Sequence, residues 1–263
     1  MSKNNSFGNG IAILGSGNVA THLAKALFNS GYKIKTIYSR TLESAKELAL
    51  NVKSDFTNNL VQVPDDADLY VLALKDEILE YIVQHLKVRH GIVVHTAGSI
   101  SIEIFENTFN NFGVFYPLQT FTKGRNIDFS NVPLCIEANN EQTKNKLFEL
   151  ARSLTNQADF IDSEKRKKIH LAAVFACNFS NHMYSVALHL LSEQDVDFKK
   201  LEPLIKETVN KAINLSPDKA QTGPALRNDK KVIDEHIEML NNYPEFQKIY
   251  KLISESIYKI NKK

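Results

Sequence analysis

Cysteine is scarce in this chain, whose 263 residues include only Cys135 and Cys177. Two cysteines are too few for a disulfide framework, and neither has the closely spaced partners that metal ligands need. Each lies in an apolar run of the sequence. We therefore expect two buried free thiols, no metal site and a reducing compartment.

Long apolar runs are absent as well. No stretch approaches the roughly 20 apolar residues that a helix needs to cross a bilayer. The polar residues 1–10 also lack the apolar middle region of a secretory signal. These absences predict a cytoplasmic protein with no membrane partner.

A net charge of one sign is also missing, because 32 basic and 30 acidic residues leave a formal charge of only +2. Such a balance provides no general attraction to nucleic acid. The short basic run over residues 165–168 is interpreted as solvated helix surface. With 43% hydrophobic and 24% charged residues, the composition is that of a globular protein.

The order of apolar patterns predicts the fold. Up to residue 161, short β-rich runs alternate with helical patterns; the runs cover residues 10–14, 34–38, 69–74, 92–95, 114–116, 133–138 and 159–161. This alternation is typical of a mostly parallel sheet with helices on both faces. From residue 163 only helical patterns follow, over 163–191, 198–215, 230–240 and 244–260. We predict an α/β Rossmann domain, doubly wound, over 1–161 and an all-helical domain over 162–263.

A glycine-rich turn follows the first predicted strand and opens a helix. It matches the G-x-G-x-x-G/A pattern, with Gly15, Ser16, Gly17, Asn18, Val19 and Ala20. The first glycine permits a tight turn, and the second lets a pyrophosphate approach the backbone N–H groups at the helix start. In this strand–turn–helix context the motif predicts a dinucleotide site.

The end of the second strand indicates which dinucleotide binds. An NAD site usually has a carboxylate here for the ribose 2′-OH, whereas this chain has Ser39, Arg40 and Thr41. A guanidinium pairs well with a 2′-phosphate, and the two hydroxyls can donate to it. The sequence therefore predicts NADP(H).

Ligands in such sheets lie at the carboxyl ends of the strands. Two further strand ends are therefore expected to line the cofactor cleft, through Leu74 and Lys75 in one and Thr96, Ala97 and Gly98 in the other. Asp76, which comes directly after the first of these, is expected to cap the next helix.

Polar residues interrupt the apolar helix that opens the second half. At 100° per residue His170 and Asn181 differ by about 20°, and Asn178 lies about 80° from His170. A polar stripe inside an apolar face needs partners, which a substrate, another helix or a second subunit would provide. We take His170, Asn178 and Asn181 as candidate catalytic residues and leave the structural interpretation open.

Two loops are candidates for substrate binding. Gln119 and Thr120 follow a strand on the cleft side, and Thr222, Gly223 and Arg227 lie in a loop that enters a helix. Arg227 could bind an anionic group in bidentate fashion. The alternative for the second loop is a plain helix–helix connection, with Asn228 or Asp229 as the helix cap.

Together these segments resemble a bacterial family that pairs a Rossmann-like NADP oxidoreductase domain with a helical domain of unknown function. The resemblance extends over nearly the whole chain and rests on residues 15–20, 39–41, 95–98, 116–121, 176–179 and 222–229. The family is similar in plan to pyrroline-5-carboxylate reductases, 6-phosphogluconate and 3-hydroxyisobutyrate dehydrogenases, and deazaflavin-dependent NADP reductases. The resemblance implies a homodimer formed through a helical domain that closes over the nicotinamide.

One departure limits what the resemblance implies. The hydroxyacid dehydrogenases of this wider group use a lysine followed four residues later by an asparagine, and none of Lys165, Lys167 and Lys168 has that partner. The lysine chemistry is therefore not carried over, and His170 is the candidate acid/base, because an imidazole titrates near neutral pH.

Three functions fit the sequence. The leading hypothesis is hydride transfer between NADP(H) and a small carbonyl or imine metabolite. A nucleic acid is not expected as a partner. The first alternative is a pyrroline-5-carboxylate-like imine reductase, in which Thr222 and Gly223 touch the substrate. The second is an NADP(H)-binding sensor or scaffold without turnover.

Overall fold

The computed structural model describes residues 7–262. Most of the polar amino-terminal segment, residues 1–6, lies outside the described residues, as does Lys263. The chain divides into one compact unit that ends at Cys177 and a second that begins at Asn178. No helix of the described part is long and apolar enough to span a membrane.

One eight-stranded sheet organises the first unit. Its strands are β1 Ile11–Leu14, β2 Ile34–Tyr38, β3 Asp55–Thr57, β4 Leu69–Leu72, β5 Ile92–His95, β6 Phe112–Pro117, β7 Leu134–Ala138 and β8 Ala158–Phe160. They lie in the order β3-β2-β1-β4-β5-β6-β7-β8. Every neighbouring pair is parallel except β6 and β7, which are antiparallel. The predicted doubly wound, mostly parallel α/β fold is confirmed.

Helices cover both faces of this sheet, and this is why β1, β4 and β5 are buried at every position. They are α1 Asn18–Asn29, α2 Leu42–Val52, α3 Asp76–His85 and α4 Glu141–Leu154. Apolar residues of α1, α2 and α4 form one core cluster with the sheet, and α3 contributes to a separate cluster. The apolar strands are thus explained by burial on two sides.

Two features of the sheet were not predicted. The short edge strand β3 contains an aspartate and two exposed residues, so it lacks the apolar run that marks the other strands. The reversal at β7 follows from the connection between β6 and β7, which contains only a short 3₁₀ helix, Phe129–Asn131. The 16 residues of this connection, 118–133, would be long enough for a parallel return, but they lack the crossover helix that usually makes one.

The long helix predicted after residue 163 occurs as three consecutive elements. These are α5 Ser163–Ala173, a π-helix Val174–Phe179, and α6 Ser180–Ser192. The prediction that His170, Asn178 and Asn181 form one stripe assumes 100° per residue. That assumption is wrong between residues 174 and 179, because a π-helix bonds i to i+5 and turns less per residue.

The second unit contains α6 and further helices, and strands are absent from its described residues. The further helices are α7 Glu202–Leu215, α8 Pro217–Ala220, α9 Pro224–Arg227, α10 Lys230–Met239 and α11 Pro244–Asn261. Cys135 is buried as expected, but Cys177 is exposed, and the prediction of a second buried thiol is wrong. The apolar run around Cys177 lies largely exposed, so an apolar neighbourhood did not imply burial.

Candidate functional site

The turn after β1 brings the ends of β1 and β4 into contact. Gly15 has φ +126°, and a Cβ atom there would lie 2.1 Å from the backbone oxygen of Ala73, at the end of β4. The Gly15 N–H donates to Tyr38 O at 2.7 Å, and Ala73 N–H donates to Leu14 O at 2.8 Å. Only glycine fits this position, which lies where the strand order changes direction and ligands of such sheets bind.

The amino terminus of α1 is open beside this turn. Its N-cap is Gly17, which provides no side-chain cap, and the first turn has no acidic residue. A Cβ at Gly17 would have nothing within 4 Å, so the backbone N–H groups there can be approached closely. The side chain of Asn18 accepts from Lys123 N at 3.1 Å, which ties the loop after β6 to this helix end. The site has the space and the uncapped donors that a pyrophosphate requires.

The end of β2 lies against the same turn. The Ser16 hydroxyl donates to the buried Ser39 hydroxyl at 2.8 Å. Thr41 is the N-cap residue of α2, as expected, but its hydroxyl bonds to Ser44 Oγ at 2.8 Å and makes no cap hydrogen bond. Arg40 is exposed and forms no ion pair with the described residues. The two loops therefore meet as the sequence indicates, with an unpaired guanidinium beside them.

The ends of β4 and β5 lie next to one another in the sheet. Leu74 is half-buried, and Thr96 is buried and donates from its backbone N–H to Leu72 O at 3.3 Å. The N-cap of α3 is the exposed Lys75. Asp76 is inside the helix and accepts a hydrogen bond from Ser99, so its predicted capping role is wrong.

His95 ends β5 and is completely buried. Its Nδ1 accepts from Ala97 N at 3.2 Å, and its Nε2 lacks a partner among the described residues. Burial, reinforced by the nearby Arg166 charge, lowers the pKa of His95 from 6.5 to about 3. His95 is therefore a neutral structural side chain under the loop 96–98 rather than a proton carrier.

This burial predicts a pH-dependent stability. Between pH 6.5 and pH 3 the unfolded chain binds a proton at His95 that the folded chain does not, so stability falls as the pH is lowered. From pH 7 to pH 5 the loss from this residue is about 2 kcal/mol. Urea unfolding of wild type and His95→Asn, which keeps an acceptor for Ala97, should show the smaller loss in the variant. His85→Asn, at an exposed histidine, is the control. If the free energy of unfolding falls equally with pH in all three proteins, His95 is not the residue responsible.

The candidate catalytic centre of the first unit combines Gly98, Tyr116 and His170. A Cβ at Gly98 would lie 2.6 Å from two ring atoms of His170, so the imidazole packs directly on the loop after β5. Tyr116, near the end of β6, places its hydroxyl 3.0 Å from His170 Nδ1. Three separate elements thus position one half-buried histidine at the carboxyl edge of the parallel strands.

Tyr116 keeps its proton in this setting, because burial raises its pKa to about 12. Its O–H can donate to Nδ1 of neutral His170, which leaves the imidazole proton on Nε2. When His170 is protonated, the phenol oxygen can accept from Nδ1–H instead. Tyr116 belongs to the segment 116–121 on which the family resemblance rests, but no role was predicted for it, although its place at a strand end was the available signal.

Arg166 corrects the interpretation of residues 165–168 as solvated surface. Its side chain is fully buried and pairs with Glu137 of β7. It also donates to Ile100 O, and to Ser163 Oγ at 3.0 Å. The Ser163 backbone N–H and hydroxyl in turn donate to Glu137, at 3.0 and 2.7 Å. This network of Arg166, Glu137 and Ser163, the Arg166 network, attaches the first turn of α5 to the sheet, one helical turn before His170.

The predicted substrate residues lie in both units, and the predicted catalytic residues Asn178 and Asn181 lie in the second. Gln119 and Thr120 are exposed after β6, and Thr120 N donates to Gln119 Oε1 at 2.8 Å. Asn178, Asn181, Thr222 and Arg227 are exposed residues of the second unit, and Gly223 is half-buried there with φ +109°.

The second loop caps a helix, as predicted for Asn228 or Asp229, and it also lines a cavity that was not predicted. Asp229 caps α10, accepting from Val232 N at 3.4 Å. Thr222 and Gly223 line an otherwise mostly apolar cavity of about 310 Å³ between α6 and α11. Among residues 7–262 no group of three or more His, Cys, Asp or Glu side chains could hold a metal ion.

Two family models match parts of this chain. Residues 10–98 match the family described as NADP oxidoreductase, coenzyme F420-dependent, and residues 132–257 match DUF2520, a domain of unknown function. No curated protein matches the chain.

Solved structures extend the likeness to the whole chain. A Bacteroides fragilis protein described as a "putative NADP oxidoreductase" shares 46% identity over 95% of this chain and 97% of its own, with a TM-score of 0.90. A Thermotoga maritima protein shares 20% over 96% and 100%, with a TM-score of 0.79. A pyrroline-5-carboxylate reductase of Streptococcus pyogenes shares 15% over 95% and 98%, with a TM-score of 0.62. This chain therefore belongs to the bacterial family that joins an NADP oxidoreductase domain to DUF2520.

Proposed function

We propose that this protein transfers a hydride between NADP(H) and a small carbonyl or imine metabolite, with His170 as the acid/base. The observation that carries the proposal is the contact of His170 with Gly98 and Tyr116, at the strand ends where the dinucleotide motif also lies. A proton carrier held there has the location that a reduction needs, because each hydride delivered to a carbonyl or imine requires a proton.

The cofactor site is proposed from three groups. The pyrophosphate would be held by Gly15, Ser16, Gly17, Asn18 and Val19. The 2′-phosphate would be held by Ser39, Arg40 and Thr41. The rest of the cleft wall would be formed by Leu74, Lys75, Thr96, Ala97 and Gly98. When bound, NADPH supplies the hydride. The open amino terminus of α1 and the missing acid after β2 support this assignment.

The substrate residues are proposed in the same way. Gln119 and Thr120, after β6, and Thr222, Gly223 and Arg227, in the second unit, are the proposed substrate residues. Asn178 and Asn181 are proposed to orient the carbonyl or imine. We keep 1–161 as the NADP-binding domain and 162–263 as the substrate and dimerisation domain. His170 would give a proton from Nε2 while Tyr116 fixes the ring through Nδ1.

The function is tested by NADPH oxidation across a panel of 2-keto acids, aldehydes and cyclic imines. Turnover of any of these supports the proposal, and a preference for cyclic imino acids over keto acids assigns the pyrroline-5-carboxylate-like reaction. Tight NADPH binding with no oxidation of any panel member would overturn it in favour of a sensor or scaffold.

Arg40 is expected to determine the choice of cofactor. A charge-assisted hydrogen bond contributes about 1.5–3 kcal/mol, so Arg40→Ala should weaken NADPH binding by roughly 10- to 150-fold and leave NADH binding nearly unchanged. Titration calorimetry with both coenzymes measures this, with the exposed Lys46→Ala of α2 as the control. Equal losses for both coenzymes would refute the role.

A second copy of this chain is the proposed partner of the helical unit. In its described residues only Ala225 and Leu240 are buried hydrophobics, whereas large apolar side chains such as Ile213, Met239 and Leu252 are more than 70% exposed. A helical unit with so small a hydrophobic core is expected to bury these side chains against a partner. Obligate dimers bury about 2,000–5,000 Å² of accessible surface in their interface.

The dimer is tested by sedimentation velocity. Wild type should sediment as a dimer, and Ile213→Asp should shift it towards the monomer, because a carboxylate would be desolvated in an apolar interface. Asn210→Asp on the same helix adds the same charge at an exposed polar position and should leave the dimer intact. A monomeric wild type would reject the proposal.

A further inference from the structure

The first unit has a second cleft that the cofactor and substrate assignments leave unexplained. It lies between α1 and the β6–β7 connection and has a volume of about 500 Å³. Thr21, His22 and Lys25 line it from the helix, and Arg125, Asp128 and Ser130 line it from the connection. This volume falls within the range of small-molecule sites, about 300–1,000 Å³.

The charges around this cleft favour an anion. Lys25 and Arg125 are exposed and form no ion pair with any described residue. The one carboxylate, Asp128, already accepts from Ser130 N, Ser130 Oγ and Asn131 Nδ2 at 3.1, 2.7 and 2.7 Å. These bonds use much of the acceptor capacity of Asp128 within its own turn, and the two cations outnumber its single negative charge.

Thr21 provides the second observation. The residue is only 8% exposed, and its Oγ1 has no hydrogen-bond partner among the described residues. A buried hydroxyl without a partner costs free energy, so it calls for an explanation. Because less than 1 Å² of Oγ1 is accessible, a ligand oxygen can reach this hydroxyl only when the side chain turns towards the cleft that Thr21 lines.

The wall of the cleft is continuous with the proposed substrate loop. His22 Nε2–H donates to Thr122 O at 3.0 Å, and the His22 ring stacks on Phe121 with centroids 4.8 Å apart. Phe121 follows Gln119 and Thr120 directly. A ligand seated between α1 and residues 124–130 would therefore contact the same segment that carries those two residues.

We propose that this cleft binds a small dianion, of the phosphate monoester or dicarboxylate kind, between Lys25 and Arg125, with Thr21 as a hydrogen-bond donor. The site is separate from the glycine turn, because none of its lining residues belongs to the dinucleotide motif. Its occupancy would stabilise the connection that leads to Gln119 and Thr120.

Thermal unfolding of the full chain, saturated with NADP⁺ to fill the glycine-turn site, tests the proposal. Inorganic phosphate and malonate are each titrated against chloride at equal ionic strength. A saturable rise in Tm with either anion is expected, and the anion that acts identifies the phosphate or the dicarboxylate source. No rise beyond that in chloride with either anion would overturn the proposal.

Variants locate the effect. Lys25→Gln combined with Arg125→Gln should weaken the anion response at least tenfold, whereas the exposed Lys87→Gln should leave it unchanged. Thr21→Val should weaken it several-fold and raise the Tm without anion, because it removes an unsatisfied hydroxyl. NADP⁺ binding reports whether each variant is folded. A double glutamine variant that keeps the wild-type anion response would also overturn the proposal.

Discussion

Replacing His170 by alanine is expected to lower kcat by roughly 10²–10⁴, the usual contribution of a positioned acid/base. The reason is geometric, because the imidazole lies against Gly98 and is held by the Tyr116 hydroxyl at 3.0 Å. Steady-state NADPH oxidation with the best substrate of the panel measures the loss. NADPH affinity, measured by calorimetry, should change little, since no part of the proposed phosphate site includes His170.

Two variants show whether this loss reports chemistry. Tyr116→Phe removes only the hydroxyl that fixes Nδ1, so kcat should fall by a smaller factor, with KM for NADPH unchanged. His85→Ala, an exposed histidine of α3, is the matched control and should retain wild-type turnover. Wild-type kcat in His170→Ala would remove His170 from the mechanism, and the proton donor would have to be sought elsewhere.

Removing the Arg166 side chain is expected to cause the largest loss of stability. Arg166→Met leaves Glu137 half-buried without its cation, and the loss of one partner of a buried ion pair costs about 3–5 kcal/mol. It also deprives Ile100 O of a donor. Urea unfolding measures the change in the free energy of unfolding.

The neighbouring Lys165 provides the control for this prediction. Its Nζ lies 3.3 Å from Asp162, and its side chain is 72% exposed, so Lys165→Met should cost less than about 1 kcal/mol. The double variant Arg166→Met/Glu137→Met should recover much of the loss, because no uncompensated charge remains. If Arg166→Met lowers the free energy of unfolding by no more than Lys165→Met does, the Arg166 network does not hold α5 to the sheet.

Local sequence patterns predicted the parts of the fold that depend on local physics. The apolar runs predicted β1, β4 and β5, because strands buried on two faces need apolar residues at every position. The glycines at 15–17 predicted the turn, because Gly15 adopts a positive φ there. The missing carboxylate after β2 likewise predicted NADP(H), and membership of an NADP oxidoreductase family confirms it.

Patterns failed where a residue's environment comes from distant parts of the chain. Cys177 lies in an apolar run yet is exposed, and Arg166 lies in a basic run yet is fully buried, because its partners Glu137 and Ile100 come from other elements. The same holds for Tyr116, whose contact with His170 spans 54 positions. The π-helix Val174–Phe179 also has no period that the 100° rule detects.

The sequence by itself determined the α/β plan, the glycine turn and the cofactor class, because these follow from periodicity, backbone freedom and the charge of adjacent residues. Only the tertiary structure decided which side chains surround His170 and which basic residue is buried. A hydrogen bond or ion pair between strand and helix depends on how the elements pack, and no local pattern records that.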